Sequence, residues 1–181
     1  MDIINLCIEA GATKAEQLPV GKLLLDPGLI EYCKQDACGR YNRSYTCPPL
    51  LGDINNLIEK IKNFTDVIIW QNIYTIEDSF DFEGMMAAQD EHKKMAHKIA
   101  KLTYARIGRK NALILSAGAC QLCDACACIT GEACRYPAEA LSSLEAHGIN
   151  VSQISEISGL KYINGVNTVT YFGGVFVKYE S

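Results

Sequence analysis

The sequence predicts one domain of the α/β (or α+β) class, a central sheet with flanking helices and cysteine-rich loops at one edge. Three observations carry that expectation. Two β-branched and aromatic runs, DVIIWQNIYTI and NALILSAG, read as buried strands at 66–76 and 111–118. Between them, residues 82–107 place apolar side chains at helical spacing, so strand and helix alternate. No internal repeat, low-complexity tract or linker interrupts the 181 residues, a length that fills one core more comfortably than two. The predicted domain therefore runs over 1–181, with cysteine loops at 33–49 and 119–137.

The elements follow in order. Ile3, Leu6, Cys7 and Ala10 share one face of a short helix over 2–11, stopped by Gly11. LPVGKLLL fits a short strand, and Pro27 suits the first position of a helical turn in PGLIEYC. DACGRYNRSYTCPP, rich in Gly, Asn, Ser and Pro, reads as an ordered loop. Asp53 caps a helix through Asn63, with Ile54, Leu57, Ile58 and Ile61 at helical spacing. The long helix runs from Phe82 to Ile107 along an apolar line of Phe82, Met85, Met86, Ala96, Ile99 and Leu102, and Gly108 ends it. Pro137 opens a helix that ends at Gly148, and VSQISEIS forms another. TVTYFGGVFVKY supplies the last strand, either one kinked strand or a hairpin turning at Gly173 and Gly174. The pattern does not dictate the strand order.

Composition narrows the function. Net charge is −4 with no basic block, which disfavours nucleic acid and anionic membranes, since both are held by clustered Lys and Arg. The first residues, MDIINLCIEAGATKAEQL, lack the basic-then-apolar plan of a secretory signal, and no run approaches the length of a membrane span. A cytoplasmic protein is expected. Nine cysteines in such a compartment point to metal ligation or redox chemistry rather than a disulfide scaffold.

Cys120, Cys123 and Cys126 follow one another at two-residue gaps. Such gaps let a turn bring sulfurs onto one centre, and two in succession suit a 4Fe–4S cube better than zinc, which more often takes two separated pairs. Cys134 is the candidate fourth ligand, followed after two interposed residues by Pro137. Cys128 sits too close to Cys126 to share the cube easily, and reads either as a ligand elsewhere or as a free, packed thiol. Upstream, Cys33, Cys38 and Cys47 lie in one polar loop that Pro48 and Pro49 stiffen. That loop either completes the downstream site or forms most of a second one, so one or two clusters are expected. Cys7 belongs to the core face of the first helix.

These residues resemble a prokaryotic family described as predicted metal-binding proteins of unknown function. The similarity rests on Cys120, Cys123 and Cys126; on Cys134, Arg135 and Pro137; on Ser143, Glu145, Ala146, Gly148 and Ile149; and upstream on Cys38, Tyr41, Cys47, Pro48 and Pro49. Cys128 is extra to that pattern, and Cys33 stands farther from Cys38 than the pattern places its partner. The resemblance implies metal binding and brings no reaction with it.

Arg40, Arg43 and Arg135 flank the cysteines and read either as counter-charges to a thiolate cluster or an anionic ligand, or as solvated loop residues. His92 and His97, five residues apart on a helix, do not share a face and are not expected to form a joint site. Three functions fit: an iron–sulfur protein in electron transfer or in an anaerobic reductase; an enzyme with an open-site 4Fe–4S cluster acting as Lewis acid or sulfur acceptor; and a zinc-stabilised binding module. The expected partner is a redox protein or a small-molecule substrate. No Rossmann fingerprint, P-loop or nucleophile elbow offers a different chemistry.

Overall fold

The computed structural model describes residues 2–178. A four-stranded antiparallel sheet organises the chain, built from β1 (Lys14–Pro19), β2 (Asp66–Thr75), β3 (Ala112–Leu115) and β4 (Thr168–Val177) in the order β1-β2-β4-β3. Five α-helices accompany it: α1 (Ile3–Ala10), α2 (Ile30–Lys34), α3 (Ile54–Lys62), α4 (Phe82–Ile107) and α5 (Val151–Ser158). This is a mixed α/β single domain, as the alternation of elements predicts.

Strand periodicity explains the layers. Along β2, Ile68 and Trp70 point into one buried cluster with α1 and α4, while Val67 and Ile69 point into another with Ile61 of α3 and Ile154 of α5. β3 divides in the same way, Ala112 and Ile114 against Leu115. Both sheet faces are covered, so β2 and β4 read as nearly continuous apolar runs although their pairing is antiparallel. β1 lies at an edge and buries only Ala15 and Leu18, so its polar sequence KAEQLP hides it; the expected strand LPVGKLLL instead leaves β1 and enters a 3₁₀ turn at Val20–Lys22.

Helix starts obey their caps. Asp2, Asp53, Asp81 and Asn150 each accept a backbone N–H in the first turn of α1, α3, α4 and α5. The bounds of α4 are those the spacing predicts, but its buried stripe is different. Ala88, His92, Met95, Ala96, Ile99, Ala100 and Thr103 face inward, while Phe82, Met86 and Leu102 are exposed. Small residues let α4 lie close to the sheet, a fit that a search for large apolar side chains overlooks.

Two other expectations change. TVTYFGGVFVKY is one continuous strand through Val177, with Gly173 opposite Trp70; its final residue, Tyr179, lies outside the described residues. No helix spans 137–148. The chain turns at 137–139, then extends beside β3, where Ser116 N–H donates to Ser142 O (2.9 Å) and Leu144 N–H donates to Ser116 O (3.2 Å). The extended course sends Leu141 and Leu144 into opposite cores, which one helical face would not do. A 3₁₀ turn at Glu145–His147 follows and closes at Gly148.

Candidate thiol site

β3, an edge strand, delivers the chain into the downstream cysteine loop. Two contacts fasten the upstream loop to it, and a third braces the upstream loop itself. The Cys120 N–H donates to Thr46 Oγ1 (3.0 Å), Thr46 and Ser44 share a buried hydroxyl contact (3.0 Å), and the Tyr45 hydroxyl donates to Glu132 O (2.8 Å). The SYTC turn thus lies under the cysteine loop, held below by Cys47 N–H donating to Ser44 O (3.0 Å) and Asn42 N–H donating to Pro48 O (2.9 Å).

The predicted residues gather in two adjoining cavities. One is bordered by Cys120, Cys123, Cys126 and Cys134 with Arg40 and Arg135. The other is bordered by Cys33, Cys38 and Cys47, with Arg40 again and Lys93 of α4. Arg40 belongs to both. Arg43 is exposed and borders neither, and Cys128 lies against Cys126 rather than facing either cavity. Cys7 is buried in the core, where desolvation pushes its thiol up to about 12. His92 is buried among Trp70 and Tyr171 with Nδ1 at 3.2 Å from Asn72 Oδ1, away from the cysteines.

The thiols are unequal. Burial raises Cys120, Cys33 and Cys47, Cys120 further through the neighbouring Cys134, Cys123 and Cys126. Burial opposes ionisation at Cys126 as well, but hydrogen bonds from the Cys128 and Tyr45 backbone, the Cys128 thiol and the Ser44 hydroxyl overcome it, and its pKa lies below the ordinary thiol value. Cys128 moves the other way, through desolvation and through the proton it shares with Cys126. Arg135 hydrogen-bonds Cys123, and its guanidinium also reaches Ala125 O (3.2 Å) and Glu132 Oε2 (3.4 Å).

This arrangement corrects the metal expectation. Among the described residues, no group of three or more His, Cys, Asp or Glu side chains could hold a metal ion. The expected one or two 4Fe–4S clusters and the zinc alternative therefore do not stand, nor do the electron-transfer, reductase, open-site and zinc-module functions that depended on them. The physical reason lies in the sulfurs' partners. Cys126 and Cys128 are paired with each other, Cys123 is engaged by Arg135, and Cys33, Cys47 and Cys120 are kept toward the protonated thiol by burial.

Ser44, Thr46 and Lys93 belong to the site although their residue types did not announce it. The available signal was the SYT that precedes Cys47, hydroxyl side chains in a turn that must place them near the next loop. For Lys93 the signal was weaker, a Gln89–Lys93 pair one helical turn apart on α4.

The family comparison matches residues 16–177 to predicted metal-binding protein (DUF2284). The chain belongs to that family. The family's description speaks of metal, whereas the described residues of this chain do not assemble a coordinating group. No curated protein and no solved structure matches the chain.

Proposed function

We propose that this member of the family carries out thiol–disulfide exchange, with Cys126 as nucleophile and Cys128 as resolving thiol. The observation that carries the reading is the placement of two thiols, Cys126 at the start of a 3₁₀ turn and Cys128 within it, against each other and shifted in opposite directions. The polar groups around Cys126, namely the Cys128 and Tyr45 backbone, the Cys128 thiol and the Ser44 hydroxyl, hold its pKa below the ordinary thiol value. The chemistry balances without a further reactant. The Cys126 thiolate attacks one sulfur of a disulfide R–S–S–R, the S–S bond breaks, and R–S⁻ leaves and takes up a proton. Cys128 then loses its proton and attacks the Cys126 sulfur of the mixed disulfide, releasing the second R–S⁻. The substrate gains two electrons, and the protein holds a Cys126–Cys128 disulfide. The reverse sequence oxidises two thiols.

Position supports the pairing. Cys126 is the N-cap of the 3₁₀ turn Ala127–Thr130, and the turn shortens the span to Cys128 inside it. A reducing cytosolic compartment, where the other thiols remain free, suits this reading, and its partner is a disulfide-bearing protein or small molecule. No helix among the described residues is long and apolar enough to cross a membrane.

Reaction of the reduced, metal-analysed protein with 2,2′-dithiodipyridine, followed by peptide mapping, tests this. The expected rapid phase labels Cys126 first, releases two thiopyridones and ends in a Cys126–Cys128 disulfide. In Cys128→Ser that phase stops after one thiopyridone, with the adduct retained on Cys126. Even labelling across the cysteines, or stoichiometric metal in a protein whose Cys126 does not react, overturns the proposal.

A further inference from the structure

The two cavities differ from the rest of the surface in charge. The chain is acidic overall, yet Arg40, Arg135 and Lys93 border these cavities and, among the described residues, no Asp or Glu does. Arg135 is already committed to Cys123, Ala125 and Glu132. Neither the Arg40 guanidinium nor the Lys93 ammonium has a hydrogen bond or salt bridge to a described residue. Arg40 is half-buried and stands where the cavity of Cys126 meets the cavity of Cys47. Lys93 is half-buried on α4, close enough to Cys120 and Cys47 to feel both. Two cations held partly out of water without a hydrogen-bonded counter-ion, Lys93 feeling Asp90 only through its field, carry an unmet electrostatic demand.

From this placement we infer that the second cavity receives the carboxylates of a low-molecular-weight thiol–disulfide couple, with Arg40 and Lys93 as its anchors. The inference deepens the exchange reading and rests on it for the sulfur chemistry. A carboxylate at Arg40 places the body of a small disulfide across the boundary of the two cavities, with its sulfur on the side where Cys126 lies. The planar guanidinium accepts a carboxylate through two parallel bonds, and the Lys93 ammonium supplies a point charge for a second one. Gly118 helps to keep this corner open. Its φ is +68°, and a β-carbon there would meet Gln89 Nε2 at 2.9 Å and approach Lys93 Nζ at 3.9 Å. Two nearby carboxylates, Glu145 beside Cys33 and Asp90 beside Lys93, lie outside the lining and do not close it. Desolvation of Lys93 lowers its affinity for a proton, and an anion in the cavity restores it.

Two measurements on the full chain separate this inference from the exchange reading. Calorimetric titration with S-methylglutathione, which carries two carboxylates and cannot exchange, tests the anion site alone. Binding by the wild type, weakened about tenfold in Arg40→Gln and in Lys93→Gln and partly recovered in Arg40→Lys, is expected for the loss of one paired charge. Absence of binding, or equal binding by all four proteins at matched folding, overturns the inference. Exchange rates with glutathione disulfide, hydroxyethyl disulfide and cystamine, each divided by the rate of a free thiol, test the coupling. The normalised rates should fall in the order anionic, neutral, cationic, and the anionic-to-neutral ratio should collapse in Arg40→Gln. Equal normalised rates refute the carboxylate specificity and leave exchange standing. Binding of S-methylglutathione, with no mixed disulfide at Cys126 after treatment with glutathione disulfide, refutes exchange and leaves the anion site standing.

Discussion

The backbone N–H of Cys120 donates to the hydroxyl of Thr46 at 3.0 Å, across 74 residues of sequence. Thr46 Oγ1 is in turn 3.0 Å from Ser44 Oγ, and the Ser44 hydroxyl reaches Cys126. The same two hydroxyls also stand against the Cys47 sulfur, so one run of hydrogen-bonding groups links Cys120, Thr46 and Ser44 with Cys126 and Cys47. Each bond in such a run polarises the next. The upstream turn therefore holds the downstream loop in place and also sets the charge on its thiol.

Breaking this run in the middle has two separable effects. In Thr46→Val the Cys120 N–H loses its acceptor, which costs about 1–3 kcal/mol as an unpaired donor in a half-buried setting. Urea denaturation measures that loss. Loss of the Thr46 hydroxyl also frees the Ser44 hydroxyl beside Cys126, so the Cys126 pKa should rise toward the ordinary thiol value. The rate of alkylation of Cys126 by iodoacetamide, followed by peptide mapping across a pH series, reads it out. A lower stability with an unchanged alkylation profile would make Thr46 a structural residue only.

Two buried histidines make stability depend on pH. Burial pulls His92 from 6.5 to about 4, and burial likewise holds His147 at about 4 beside the Ser143 carbonyl, with Nδ1 at 3.1 Å. Both are neutral in the folded chain, so between about 4 and 6.5 the unfolded chain binds more protons. Stability is then fully present above 6.5 and is lost as pH falls toward 4, by ~3 kcal/mol for each histidine at most. Denaturation midpoints at pH 7 and pH 5 should differ accordingly, and His92→Gln should reduce the difference. A midpoint independent of pH over that interval would mean that these imidazoles are solvated.

How much of this was legible in the sequence depends on whether a feature is local. The Asp53 cap, the bounds of α4 and the strands around Ile68 and Ile114 follow from neighbours in the chain, so their residues state them directly. The edge strand β1 was hidden because its outer side chains face water and need not be apolar. The 137–148 segment was misjudged because Pro137 and Gly148 mark helix ends in most settings, whereas here Ser142 bonds to Ser116 and takes the backbone out of helix. At the site, cysteine spacing located the reactive loops but not what the sulfurs bind. Whether Cys126 turns toward a metal or toward Ser44 and the Tyr45 backbone is decided by a loop some 80 residues away, and no local spacing rule contains that information.

The closest fit in the core gives the last prediction. Trp70 of β2 is fully buried and lies across Gly173 of β4, its cross-strand neighbour, so that a β-carbon on Gly173 would overlap the indole ring. The indole cannot retreat, since α1 and α4 pack behind it in the same cluster. Gly173→Ala should therefore destabilise by about 1–3 kcal/mol, the range for overpacking a filled core. At Gly174 an added β-carbon would meet Phe176 at 3.1 Å and Leu144 and Val67 at 3.3 Å, contacts that a few tenths of an ångström relieve, so Gly174→Ala should cost less. At Gly21 nothing lies within 4 Å, and Gly21→Ala should stay within about 0.5 kcal/mol of wild type. Urea midpoints ranked Gly21→Ala, Gly174→Ala, Gly173→Ala from most to least stable would support this packing. Equal midpoints for all three would place Trp70 elsewhere in the core, because only an indole seated on Gly173 makes that position unlike the other two.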